Sequence, residues 1–194
     1  MVPPVDPNAV LMTGENSFVR LSHDGGTTTS DVFSHWRVLW CPVGPGHTLF
    51  AKSELTDGQV RIYSDNIAVT RWLQSTIEAV LQSPFGDASA PVIDARFDRT
   101  GDPRSTAVER AVTRDEELVL AWYDFMEGFV LNAPPGFNNR PLGVFSTFFP
   151  ARSAQVTLNG RSAGGKPWSQ MRGDRQSSSA CLAWSETWVR PRDR

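Results

Sequence analysis

The chain has 194 residues, 40% of them hydrophobic, with 19 Lys and Arg against 21 Asp and Glu and a formal charge of −2. That length favours one domain with a core large enough to stand without disulfides or metal. The near-neutral balance excludes a global field that would recruit nucleic acid or an anionic membrane, and the two cysteines, Cys41 and Cys181, allow one bridge at most and fit a reducing compartment.

Residues 1–30 hold Pro3, Pro4, Pro7, Gly25 and Gly26 and read as an extended N-terminal arm with one short strand over 17–21. The opening stretch MVPPVDPNAVLMTGEN has neither the basic nor the apolar region of a signal peptide. The longest central apolar run, residues 118–122, is far short of the ~20 residues of a spanning helix. The expectation is a cytoplasmic protein with no membrane partner.

From Ser34 the pattern is strand-like, and Gly44-Pro45-Gly46 joins residues 34–43 to 47–55 in a hairpin. Asp57-Gly58 turns a second hairpin that sets Glu54 opposite Arg61 as a surface pair. Ser64 or Asp65 caps a helix over 65–82, whose apolar positions Val69, Trp72, Leu73, Ile77, Val80 and Leu81 recur at helical spacing before Pro84. Such a stripe covers a sheet rather than holding a cofactor, and it leaves Arg71 and Glu78 towards the polar side.

After a linker at 83–90 the chain returns to strands over 91–98, 106–114, 117–126, 143–149, 154–159 and 179–189. Loops at 132–141 and 160–176 interrupt them, and at one rim of a barrel they would form the mouth of a site. The organisation is an arm at 1–30, a single β-barrel domain at 31–190 and a basic tail at 191–194, where Arg192 and Arg194 read as a solvated terminus.

These elements predict a mainly β, β-rich α+β fold: a strongly curved or closed antiparallel barrel of about nine strands with one amphipathic helix against it. By strand number and a Trp-rich lining, residues 34–190 resemble the lipocalin-like (calycin) β-barrels at fold level, without a family motif. The Gly-x-Trp signature of that family is missing from the first strand, and the helix sits mid-chain instead of after the barrel. Hot-dog-like sheets and nuclear-transport-factor-like cones stay open as alternatives.

The motifs with direct chemical meaning are sparse. Residues 160–166 (GRSAGGK) copy the glycine and lysine spacing of a phosphate loop, but Pro167 replaces the hydroxyl that would hold magnesium and removes an amide donor, so a plain loop is expected. His23, His35 and His47 show no metal-ligand spacing. If Val43 pairs with His47, His35 pairs with Leu55, which holds His35 and His47 about 26 Å apart. Cys41 and Cys181 lack ligand spacing too, and no Gly-x-Ser-x-Gly elbow occurs; no metal and no cofactor are expected.

Strand parity supplies a better constellation. With a turn at Asp115-Glu116, Ala111 faces Leu120 and Glu109 faces Trp122, while Leu118, Leu120, Trp122 and Asp124 share one face. The final strand repeats the composition with Leu182, Trp184, Glu186 and Trp188. If both faces point inward, Glu109, Asp124 and Glu186 enter a Trp-lined cavity where desolvation raises carboxyl pKa values towards neutrality. The competing reading is structural pairing with Arg37, Arg96 or Arg110. On residues 91–98, Ile93, Ala95 and Phe97 point inward and Asp94, Arg96 and Asp98 to solvent. On the first strong strand Trp36, Val38 and Trp40 are the inward set, and His35 gains interest only if the helix covers its side.

Two functions follow. The first is binding of a hydrophobic or aromatic small molecule in a barrel cavity lined by Trp36, Trp40, Trp122, Trp184 and Trp188. The second is a cofactor-independent lyase or isomerase that uses Asp124, Glu186, Glu109 and His35 for acid–base catalysis. A third reading, an interaction module, needs an exposed apolar patch. Nucleic acid is not an expected partner, and a homo-oligomer is left open.

Overall fold

A computed structural model describes residues 9–191. Pro3, Pro4 and Pro7 of the expected arm, and Arg192 and Arg194 of the expected tail, lie outside them. The chain begins with an antiparallel meander of β1 (Val10–Leu21), β2 (Asp31–Trp40), β3 (Gly46–Lys52) and β4 (Val60–Ser64). Helix α1, residues 67–81, then crosses over and delivers β5 (Val92–Asp94) parallel to β4, a pairing that requires such a crossover. Antiparallel order resumes with β6 (Arg96–Asp102), β7 (Thr106–Val112), β8 (Glu117–Phe125), β9 (Phe129–Ala133) and β10 (Gly143–Leu158). The short β11 (Arg161–Ser162) folds back on β10, β12 (Ser169–Arg172) and β13 (Arg175–Ser178) form a separate hairpin, and β14 (Ala180–Val189) inserts between β10 and β1.

The result is a nearly closed, mainly β barrel of 10 strands in the order β5-β4-β3-β2-β1-β14-β10-β8-β7-β6, with one unsealed seam, between β5 and β6. The mainly β barrel with one helix is therefore as the pattern predicts. Two elements differ from expectation. β1 starts at Val10, inside the expected arm, and pairs along both edges, with β2 and β14. β10 is continuous where two strands were expected. Pro150 interrupts the apolar pattern there, at the point where the neighbour of β10 changes from β9 to β8, so its missing N–H costs little pairing.

Asn66, rather than Ser64 or Asp65, caps α1 by accepting from the Ala68 and Val69 amides. The helix starts as Ile67–Leu73, widens into a π-turn over Gln74–Glu78 and finishes over Ala79–Leu81. The wider turn puts Gln74, Ile77 and Glu78 all on the buried side, which overturns the polar-side placement of Glu78.

Two apolar layers share the barrel wall. Inside it, Val19, Phe33, Leu49, Tyr63, Leu118, Leu120, Trp122 and Leu182 pack together. Outside it, Val69, Leu73 and Ile77 of α1 cover Met12, Trp36, Val38, Phe50, Ile62 and Trp188. The β2–β4 strands are consequently apolar on both faces, and alternation alone does not say which face is interior. Cys41 and Cys181 are buried and free. Among the described residues, no helix is long and apolar enough to cross a membrane.

Candidate functional site

Wall-crossing irregularities decide where each polar side chain goes. β14 carries one extra residue against both neighbours: Trp184 pairs with Thr147 and Thr187 with Phe145, while Ala183 pairs with Asn16 and Glu186 with Gly14. Ser185, at φ 55° in the left-handed region, absorbs the surplus. The bulge breaks the two-residue period, so Leu182 and Trp184 join the interior cluster while Glu186 and Trp188 turn to the outer, helix-covered side. Gly14 sits opposite this bulge, and a Cβ there would lie 2.3 Å from the Arg37 carbonyl oxygen, so only glycine fits.

On the outer side Glu186 is 3% exposed and accepts a hydrogen bond from Trp188 Nε1 at 2.5 Å. Burial pushes its carboxyl up to about 7, against the opposing pull of the Trp188 and Ser146 hydrogen bonds and the Arg172 charge. Glu186 and Trp188 border a pocket of about 160 Å³ between β1, β2, β10 and β14, the C-terminal end of α1 and the β12–β13 hairpin. Phe18, Leu131, Val144 and Phe148 supply its apolar surface, and Arg20, Arg140 and Arg172 its cations.

Among the described residues, none of these three arginines forms an ion pair. Arg20 donates to Gln170 Oε1 at 2.9 Å. The Arg172 guanidinium lies 5.0 Å from the Phe148 ring centre and 5.5 Å from that of Phe18, and its buried Nε has no hydrogen-bond partner among the described residues. Burial lowers the Arg20 and Arg172 pKa values; repulsion from Arg172 and Arg140 lowers Arg20 further, while on Arg172 repulsion from Arg140 is opposed by Cys181 and Glu186. The loops expected to form a mouth do reach this pocket, through Arg140 and Arg172, but they reach it on the outer wall.

Glu78 is a second carboxyl in the same outer layer. It is fully buried, accepts from Ser34 Oγ and from Trp36 Nε1, the latter at 2.5 Å, and leaves Oε2 without a partner among the described residues. Burial raises it to about 7 despite those hydrogen bonds.

On β2 it is Phe33 and His35 that face the barrel interior, contrary to the expected inward set of Trp36, Val38 and Trp40. Trp36 lies beneath α1, and a register shift after Val38 separates Trp40, which is 50% exposed. His35 occupies the interior, with Nδ1 2.6 Å from Glu109 Oε2. Glu109 also accepts from Ser17 Oγ at 2.9 Å and from Arg99 Nε at 2.7 Å, and Arg99 continues to Glu15. Burial alone would raise Glu109; His35, Arg99 and Ser17 outweigh it and hold the carboxyl at about 2. His35 is 5% exposed, and its Nε2 has no partner among the described residues.

The two histidines expected to be far apart are neighbours. β2 ends earlier than the turn signal suggested, so His35 pairs with Leu49 and Arg37 with His47, and the imidazole centres of His35 and His47 lie 5.9 Å apart. His47 is oriented by Asp65, Nδ1 to Oδ2 2.7 Å, and its pKa is lowered, chiefly by burial. Phe97, from the seam strand β6, stacks 5.1 Å from His35 and 5.2 Å from His47. These rings border a cleft of about 360 Å³ at the seam, together with Arg37, Asp98 and Arg99.

Of the four acid–base candidates, then, the structure joins His35 to Glu109, places Glu186 across the wall and leaves Asp124 at the surface. Asp124 has φ 55° at the end of β8, is 56% exposed and stands 3.3 Å from Arg152, so it does not share a cavity with Glu186. The β7–β8 register is two residues from expectation, with Glu109 opposite Leu120, but the inward face of Leu118, Leu120 and Trp122 holds. Among the tryptophans, Trp188 borders the outer pocket, Trp122 donates to the Phe18 carbonyl from inside, and Trp184 packs against Phe149 with Arg99 5.0 Å from its ring. Glu54 bonds to His23 and the Gly164 amide instead of Arg61, which pairs with Glu116. Residues 160–166 open into β11 and a backbone pairing of Lys166 with Ser22, and among the described residues no helix follows them to bind phosphate.

Sequence reasoning missed Glu78, Arg20, Arg140 and Arg172. A partial signal existed for the arginines, because two of them lie in the loops singled out as a mouth. Comparison of the chain with models of known protein families and with curated proteins found no match.

Proposed function

We propose that the outer-wall pocket binds a small organic anion with a hydrophobic or aromatic body. The observation that carries this reading is the group of three guanidiniums, Arg20, Arg140 and Arg172, bordering one pocket without a carboxylate partner among the described residues. Partly desolvated cations that repel one another are costly, and a bound anion offsets that cost. The volume of about 160 Å³ suits one aromatic ring, since a cavity of about 150 Å³ takes benzene. Phe18, Phe148 and Trp188 then contact the ring, and a protonated Glu186 can donate to the anion. The sequential strand order, with β14 closing on β1, supports a calycin-like assignment at fold level. Two buried free cysteines fit a cytoplasmic setting.

Titration with benzoate and with benzyl alcohol, followed by tryptophan fluorescence, tests the reading. Benzoate should give a saturable change that benzyl alcohol does not, and Arg172→Met should abolish it; equal responses, or none, would remove the anion site.

A second reading rests on the His35–Glu109 pair. Glu109 positions the imidazole through Nδ1, leaving Nε2 to accept or return a proton, as a cofactor-independent lyase or isomerase requires. Incubating small 2-oxo acids in D2O with the protein should exchange the C–H next to the carbonyl in the wild type and not in His35→Gln. Absence of exchange in the wild type counts against this reading.

A further inference from the structure

β9 is hydrogen-bonded on one edge only. It pairs with β10 from Phe129 opposite Phe148 to Ala133 opposite Val144, and among the described residues no strand pairs with its other edge. An unpaired edge presents a row of backbone donors and acceptors that another chain can satisfy. The same region holds Val130, Met171 and Phe137, which are 74%, 62% and 45% exposed. Single exposed apolar residues are ordinary, but these three border one groove of about 560 Å³ between β9 and the β12–β13 hairpin. Its charges are Arg140, Arg172 and Arg175 against Asp174 alone.

We propose that this groove is a docking surface for an extended acidic segment of a partner protein, which adds to β9 as a further antiparallel or parallel strand. Main-chain hydrogen bonds to the free edge supply affinity, and side chains of the added strand alternate between faces. Apolar residues on one face meet Val130, and acidic residues on the other meet the arginines. The excess of cations selects an acidic occupant and disfavours a second copy of this chain, whose groove carries the same positive excess. The surface overlaps the anion pocket at Leu131, Arg140, Val144 and Arg172, but Val130 and Arg175 border the groove and not the pocket.

The test uses a fluorescein-labelled peptide of alternating valine and glutamate, six residues long, with an amidated C-terminus so that no terminal carboxylate can enter the anion pocket. The wild type should bind it saturably, and the alternate amides of β9 that face away from β10 should exchange more slowly in the complex. Arg175→Glu should weaken binding by about tenfold and leave benzoate binding unchanged. A valine–lysine peptide should not bind the wild type and should bind Arg175→Glu better. Absent binding of the valine–glutamate peptide, equal binding of the lysine peptide, or binding without protection of β9 would overturn the proposal. A concentration-dependent dimer that protects the same amides would overturn it as well, by assigning the edge to a second copy. Loss of benzoate binding with peptide binding retained would remove the anion site and leave this surface standing.

Discussion

His35 Nδ1 stands 2.6 Å from Glu109 Oε2, yet their strands, β2 and β7, are not neighbours in the sheet. The contact crosses the barrel interior near the seam, and Arg99 of the seam strand β6 is bound to the same carboxylate. Side-chain bonds thus tie together two walls that lack a backbone ladder between β5 and β6.

Glu109→Gln should therefore lower stability by about 1–3 kcal/mol, the scale for removing one partner of a buried hydrogen-bonded group while Glu15 still holds Arg99, read as the urea midpoint. The pH dependence has a definite sign. Glu109 is held at about 2, below its ordinary value of 4.5, so its contribution is full above about pH 4.5 and disappears as pH falls towards 2. The wild type should lose stability through that window, and Glu109→Gln should show a shallower loss there.

Glu78 has the opposite sign. Its folded value, about 7, lies above the ordinary 4.5, so stability is greatest below about pH 4.5 and declines until about pH 7. The full decline from this group is about 3 kcal/mol. Glu78→Gln should be more stable than wild type at pH 8, because no charge is buried, and should show no such gain at pH 4. Thermal unfolding at the two pH values measures the difference.

The bulge at Ser185 gives a backbone prediction. Ser185→Gly should leave the fold intact and gain up to about 1 kcal/mol by relieving the left-handed conformation, whereas Ser185→Val should cost about 1–2 kcal/mol. Deleting Ser185 should prevent folding, because restored alternation would direct Glu186 into the apolar interior and strip Trp188 from the outer layer. Circular dichroism and urea titration of the three variants check the ordering.

Much of the architecture is legible in the sequence. Turn residues and alternation mark most strands, and the stripe from Val69 to Leu81 marks the helix. What alternation does not carry is which side of a two-sided wall a residue joins. Trp36 and His35 lie in the layers opposite to those alternation predicts, because the wall is apolar on both faces. Glu186 and Asp124 were displaced by single left-handed residues that a two-residue period does not reveal. The hairpin register failed by six residues because β2 stops at Trp40, before the glycine-proline turn, and that error alone hid the proximity of His35 and His47. Glu78 was hidden by the π-turn, which no helical wheel of period 3.6 anticipates.

Anion binding should depend on the protonation of Glu186. Its carboxyl titrates at about 7, so lowering the pH through neutrality removes a negative charge from the pocket and adds a donor. Benzoate affinity should rise about tenfold between pH 8 and pH 6, and Glu186→Gln should bind with little pH dependence across that range. Isothermal titration at both pH values makes the comparison.

The most direct test of the anion site is the Arg172 side-chain Nε–H signal in a proton–nitrogen NMR titration with benzoate. Arg172 borders the pocket, so an anion bound to its guanidinium should shift the Nε proton, and benzyl alcohol should not. Saturable benzoate binding with the Arg172 signal unmoved, or no binding at all, would contradict the account.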